Sequence, residues 1–133
     1  MKLFAVVLLT LASFALAQQE EEKYDDKYDY LDVDGILKND RLRQQYLDCF
    51  LETKPCVTAD AIFIKKNFPE AVVTKCRKCT EAQKMGFEKL INWMTKNDPE
   101  TWRAILRKSI EDFTKKGNER RAKEKGERLR NSA

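Results

Sequence analysis

Four cysteines, Cys49, Cys56, Cys76 and Cys79, constrain this chain more than any other feature: they are all it has, and their spacing is C-x6-C-x19-C-x2-C. Each adjacent pair is near enough in sequence to close a small loop without reshaping its surroundings. Whether they are thiols, metal ligands or disulfides depends first on the compartment. Lys2, the apolar run Leu3 to Leu9 and the small-residue end Ala15-Leu16-Ala17, followed abruptly by Gln18-Gln19-Glu20, predict a secretory signal peptide over residues 1–17. The apolar run is short for a bilayer span and no stop-transfer pattern follows it, so a secreted, extracellular protein is expected, without stable membrane insertion. An even number of cysteines in a small secreted chain reads as two disulfides. Four cysteines allow three pairings; the turn-like sequence between adjacent cysteines favours local pairing and leaves the others open.

Two other uses of the cysteines fit less well. A structural zinc site usually presents two short knuckles, whereas one arm here has six intervening residues and the chain has no histidine. Cys76-Arg77-Lys78-Cys79 has a basic pair that would lower a thiol pKa, but the βαβ context of a thioredoxin-like site is missing. No metal and no cofactor is expected.

Removing 17 of 133 residues leaves 116, enough for one domain with a modest core. The mature balance, 25 basic against 22 acidic residues, is too weak to argue for nucleic acid. Its distribution is uneven. Glu20 to Asp34 is acidic with interleaved tyrosines, an extended arm whose aromatic rings need a surface, and Lys115 to Arg130 is dominated by Lys and Arg. From Gly117 onward apolar residues almost vanish, so 115–133 is expected to be a charged tail or a solvated helix, outside a helical domain of residues 18–114. Such a basic end can touch a membrane surface or a receptor.

Between these ends the pattern is helical throughout. Asp34 can cap a short helix carrying Ile36 and Leu37, and Asn39 or Asp40 the next, in which Leu42, Tyr46, Cys49 and Phe50 share a face. Thr58 opens a third helix through Ile62, Phe63 and Ile64, and Pro69-Glu70 is expected to start a fourth. Thr80-Glu81-Ala82-Gln83 has the form of a capping box, predicting a long helix with the stripe Phe87, Leu90, Ile91 and Met94. Asp98-Pro99-Glu100 is a strong start for the last, with Trp102, Ile105, Leu106, Ser109, Ile110 and Phe113 as its buried face. No stretch alternates like a strand, so the fold class is all-α.

Catalysis has little to stand on: no histidine, no G-x-S-x-G elbow and no Gly-rich phosphate loop. Asp25, Asp26 and Asp29 lack the spacing and the turn glycine of a calcium loop. An enzyme is not expected. What remains is apolar surface. Ile36, Tyr46, Phe50, Ile64, Phe68, Val72, Phe87, Leu90, Ile91, Met94, Trp102 and Ile105 would line an internal space if there is one, since periodicity alone does not distinguish a hollow core from a filled one.

The segments KYDYLDVDGILKNDRL, KNDRLRQQYLDC, CFLETKPC, IKKNFPEA, CRKCTEAQK and ETWR, with the cysteine spacing, resemble the insect chemosensory protein family from about Tyr24 to Arg107. That resemblance implies about six helices around an apolar channel, local Cys49–Cys56 and Cys76–Cys79 bridges, and a soluble, monomeric carrier. Its expected partner is a small hydrophobic ligand: a long-chain fatty acid, alcohol, ester or semiochemical. Carried over by motif, Tyr28, Tyr46, Gln83 and Trp102 would meet the ligand with polar-edged or aromatic groups, and Ile36, Ile64, Phe68, Phe87, Ile91 and Met94 would supply hydrocarbon contacts. The match departs at Gly35, where the family usually has Glu, at Ala61, and after Arg107, where the usual D-P-x-G-x-aromatic pattern is replaced and Phe113 stands in for the aromatic. The alternative is a secreted interaction protein of development or defence, with a solid core, acting through its charged ends.

Overall fold

Each helix begins where a small polar side chain satisfies a free backbone N–H. In the computed structural model, which describes residues 21–133, there are five helices among the described residues; the expected signal peptide, 1–17, lies outside them. Asp32 accepts from the Gly35 N–H and starts α1 (Val33–Lys38). Asp34, the cap expected from sequence, lies instead in the first turn, where a carboxylate suits the helix dipole. Asn39 accepts from the Leu42 N–H and starts α2 (Asp40–Phe50). Thr58 caps α3 (Ala59–Thr74), and Thr80 with Gln83 forms the expected capping box of α4 (Glu81–Asn97). Asp98, with Pro99 at the first position, starts α5 (Pro99–Asn131).

The count of about six helices is corrected at Pro69, which does not open a new helix but sits inside α3. An interior proline removes a backbone hydrogen bond and costs about 3 kcal/mol. Opposing it, Phe68, Pro69 and Ala71 are all buried, and Ile64 and Val72 pack against the same core. Breaking the helix would separate apolar groups that one continuous face buries together. The second correction concerns Ile110, expected on the buried face of α5 but 52% exposed; Trp102, Ile105 and Ser109 face inward. α5 runs on through the charged segment without a break at residue 115, and from Asn118 onward its side chains are exposed.

Leu47, Phe68, Met94, Trp102 and Ile105 form the core, in which α3 packs extensively on α5. Leu47 was not on the expected stripe of α2. That helix is covered by α1 on one side and α3 on the other, so its buried face is wider than the Leu42–Tyr46–Cys49–Phe50 row. The bridges are Cys49–Cys56 and Cys76–Cys79, with Cα separations of 4.7 and 5.0 Å. Each closes a turn beside a helix end, and neither ties distant helices. Lys75 and Cys76 leave α3 with φ of 54° and 62°, a left-handed turn that leads into the second bridge. No helix among the described residues is long and apolar enough to cross a membrane.

Candidate functional site

An apolar cavity of about 180 Å³ lies between the N-terminal arm, α1, α2, α3 and α4. Its aromatic wall is in two parts. Phe50 stacks on Phe68 at 5.3 Å, Phe68 meets Phe87 at 5.7 Å, and Tyr28 from the arm tilts against Phe63 of α3 at 5.1 Å. Ile36, Leu31 and Val33 close the side formed by the arm and α1, and Ile64 and Leu90 the opposite side. The cavity lies beside, not within, the packed core.

Nine expected residues line it: Tyr28, Ile36, Tyr46, Phe50, Ile64, Phe68, Gln83, Phe87 and Leu90. Five others do not. Met94, Trp102 and Ile105 are buried in the solid core, and Val72 and Ile91 pack against its edge. Val72, Ile91 and Met94 share helices with lining residues, and periodicity does not say how far along a stripe the space extends, whereas Trp102 and Ile105 belong to α5, which contributes no residue to the lining. Sequence reasoning missed Tyr24, Leu31, Val33, Phe63 and Asn67. The one available signal was Gly86 inside α4, where a Cβ would come within 3.0 Å of the Val33 side chain: a glycine there lets α1 approach α4 closely.

The arm that closes the cavity is held by the start of α4. Thr80 Oγ1 accepts from the Gln83 N–H and itself donates to Asp29 Oδ2 at 2.7 Å. Gln83 Oε1 accepts from the Thr80 N–H, and Nε2 donates to Asp29 Oδ1 at 3.0 Å and to the Asp25 carbonyl at 2.9 Å. The capping box is therefore also a clamp. Both Gln83 amide hydrogens are committed to the arm rather than turned to the cavity, which differs from the ligand contact expected of it. Further along, the Tyr24 N–H donates to the Lys78 carbonyl and its hydroxyl to Glu70 Oε1, each at 2.8 Å.

Two more polar side chains of the lining, Tyr46 and Arg43, are paired. The Tyr46 hydroxyl donates to Asp60 Oδ2. Arg43 donates to the Leu37 carbonyl and to Asp40, and its guanidinium lies 4.4 Å from the centre of the Trp93 ring. Burial, then the Asp60 hydrogen bond, pushes the Tyr46 phenol far above its ordinary value; burial, then Glu70, does the same to Tyr24. Among the described residues no cluster of His, Cys, Asp or Glu could hold a metal ion. The arrangement presents hydrocarbon and aromatic surface, with no ionised group left to pair with a guest.

The sequence model of the insect pheromone-binding family, A10/OS-D, matches residues 24–116. Ejaculatory bulb-specific protein 3 of Drosophila melanogaster is 39% identical over 106 residues, 80% of each chain. A chemosensory protein solved in complex with bromo-dodecanol superposes with a TM-score of 0.58 at 34% identity, over 75% of this chain and 95% of the other. Antennal chemosensory protein A6 from the moth Mamestra brassicae gives 0.56 at 35% identity, over 76% and 94%. With the family's sequence pattern, its all-helical architecture and two local disulfides in place, this chain belongs to the insect A10/OS-D family of chemosensory proteins.

Proposed function

We propose that the protein is an extracellular, noncovalent carrier of small hydrophobic molecules, such as long-chain alcohols, esters and related semiochemicals, taken into the cavity beneath the arm. The observation that carries this is the cavity, about 180 Å³ walled by aromatic and aliphatic side chains. The bromo-dodecanol complex of a similar chemosensory protein supports the ligand class. No catalytic group is needed, because the bound molecule is held by burial alone.

Size sets how it binds. The volume is close to the roughly 150 Å³ of an engineered apolar cavity that admits benzene, and below the roughly 300–1,000 Å³ of most ligand sites. A short chain fits as the helices stand, and a longer one requires them to part. Charge sets the head group. The Asp29 carboxylate lies in the lining and Arg43 is already paired, so a neutral head is favoured over a carboxylate. Asn67 donates through Nδ2 to the Phe63 carbonyl, leaving its amide oxygen to accept from an alcohol.

Each buried methylene contributes about 0.8 kcal/mol, or roughly fourfold in Kd, so affinity should climb with chain length and level off once the cavity is full. Displacement of a fluorescent apolar probe by a series of alcohols and matching acids tests this. Saturable one-to-one displacement, alcohols no weaker than acids, and loss of binding in Ile36→Asp but not in Val57→Asp, whose parent side chain is 71% exposed, are the expected results. Displacement by no chain of any length would sink the carrier reading.

A further inference from the structure

We infer that the outer face of α5 is a docking stripe for an anionic phospholipid surface. On a helix turning about 100° per residue, Arg103, Arg107, Arg121, Lys125 and Arg128 fall within about 60° of one another, along roughly 38 Å of axis. All five are exposed, and none forms a salt bridge among the described residues. The inward side chains Trp102, Ile105 and Ser109 lie on the other side of the helix, so the stripe points away from the domain. A flat surface can therefore meet its whole length without touching the arm or the cavity.

The acids of α5 are arranged around this stripe and not in it. Glu119 and Glu127 fall on the opposite half of the extension, with Lys116, Lys123 and Arg130 among them, while Glu100, Glu111 and Glu124 stand at the stripe's edges. Two features favour lipid over another polyanion. The contact is long and straight, with no pocket to receive a single group. Ile110, 52% exposed, sits within the stripe and Leu129, 62% exposed, beside its far end; aliphatic side chains among cations gain from an interface with acyl chains and gain little from a sulfated polysaccharide. Attraction of this kind weakens with added salt.

Each Lys or Arg near an anionic membrane is worth roughly fivefold in partitioning. Binding of the purified protein to phosphatidylcholine vesicles, with and without phosphatidylserine, is measured by co-sedimentation at low and high salt. We expect binding only with phosphatidylserine, reversed by salt, and weakened about a hundredfold in Arg121→Gln/Lys125→Gln/Arg128→Gln. The variant Lys116→Gln/Lys123→Gln/Arg130→Gln removes the same charge from the acid-containing side and should lose far less. Glutamine is a good helix former, and circular dichroism confirms that both variants keep α5. Equal loss in the two variants would overturn the stripe, leaving only net charge. Binding to heparin with none to phosphatidylserine vesicles would overturn the lipid assignment. Probe displacement in solution reads the cavity separately, so failure of one inference leaves the other standing.

Discussion

At Gln83 one side chain performs two tasks, and its chemistry shows why glutamine is needed. A capping box accepts Glu or Gln at this position, but only the amide can also donate to Asp29 and to the Asp25 carbonyl. Gln83→Glu would gain about 0.3–1 kcal/mol from a negative charge at the helix N-terminus. It would lose two hydrogen bonds and set a carboxylate against Asp29, a loss of about 2–3 kcal/mol that should prevail. A lower melting temperature and faster hydrogen exchange at the Tyr24 amide, which the Lys78 carbonyl protects, are the expected signs. The half-buried tyrosine–carboxylate pairs make a second prediction. The Tyr24 hydroxyl, against the opposing effect of burial and with help from Lys78, holds the Glu70 carboxyl below the usual range. Asp60 is likewise lowered: burial opposes it, and hydrogen bonds from Tyr46 and Thr58 outweigh the burial. Depressed carboxyls contribute stability above about pH 4 that is lost on acidification, and raised phenols contribute stability below about pH 10 that is lost on alkalinisation. Melts across this range should fall at both ends, and Tyr24→Phe/Tyr46→Phe should flatten the alkaline limb and shrink the acid one. Unchanged limbs in that variant would show that other groups govern the pH dependence.

Among the elements, α5 divides into a packed half and a solvated half. The first is held by Trp102 and Ile105 in the core, while the second is held only by its own backbone hydrogen bonds. Helices so supported are marginal in water, and each interior glycine costs about 1 kcal/mol relative to alanine. A Cβ at Gly126 would meet nothing within 4 Å, and at Gly117 only the Arg121 side chain at 3.9 Å. Gly117→Ala/Gly126→Ala should raise helicity in the far-ultraviolet circular dichroism while the melting temperature of the domain stays put. A matching rise in melting temperature would mean that the extension unfolds together with the core. α3 shows the opposite balance, since its packing against α5 and the core overrides a proline that by itself would end the helix.

In the whole molecule, the disulfides pin corners and leave helix packing to hold the fold. By chain entropy the Cys49–Cys56 and Cys76–Cys79 loops are worth about 2.5 and 2 kcal/mol. Replacing either pair with alanine should lower stability by about that much with little loss of helix. Cys76 and Cys79 also line the cavity whereas Cys49 and Cys56 do not, so on the carrier reading only the former replacement should weaken probe binding; equal effects on binding would count against the cavity as the site. The local chemistry was legible without coordinates. Asn39, Thr58, Thr80 with Gln83, and Asp98 with Pro99 start helices because caps act within four residues of themselves, and the cysteine spacing with its flanking motifs carried the family and the bridges. Tertiary structure decided the rest: that α3 runs through Pro69, that Ile110 turns outward, and that the aromatic stripes are hollow beside Phe63 and Leu31 but solid around Met94 and Trp102. Periodicity reports which face of a helix avoids water. Whether that face meets a neighbouring side chain or an empty space depends on how far apart the helices settle, which no single segment encodes.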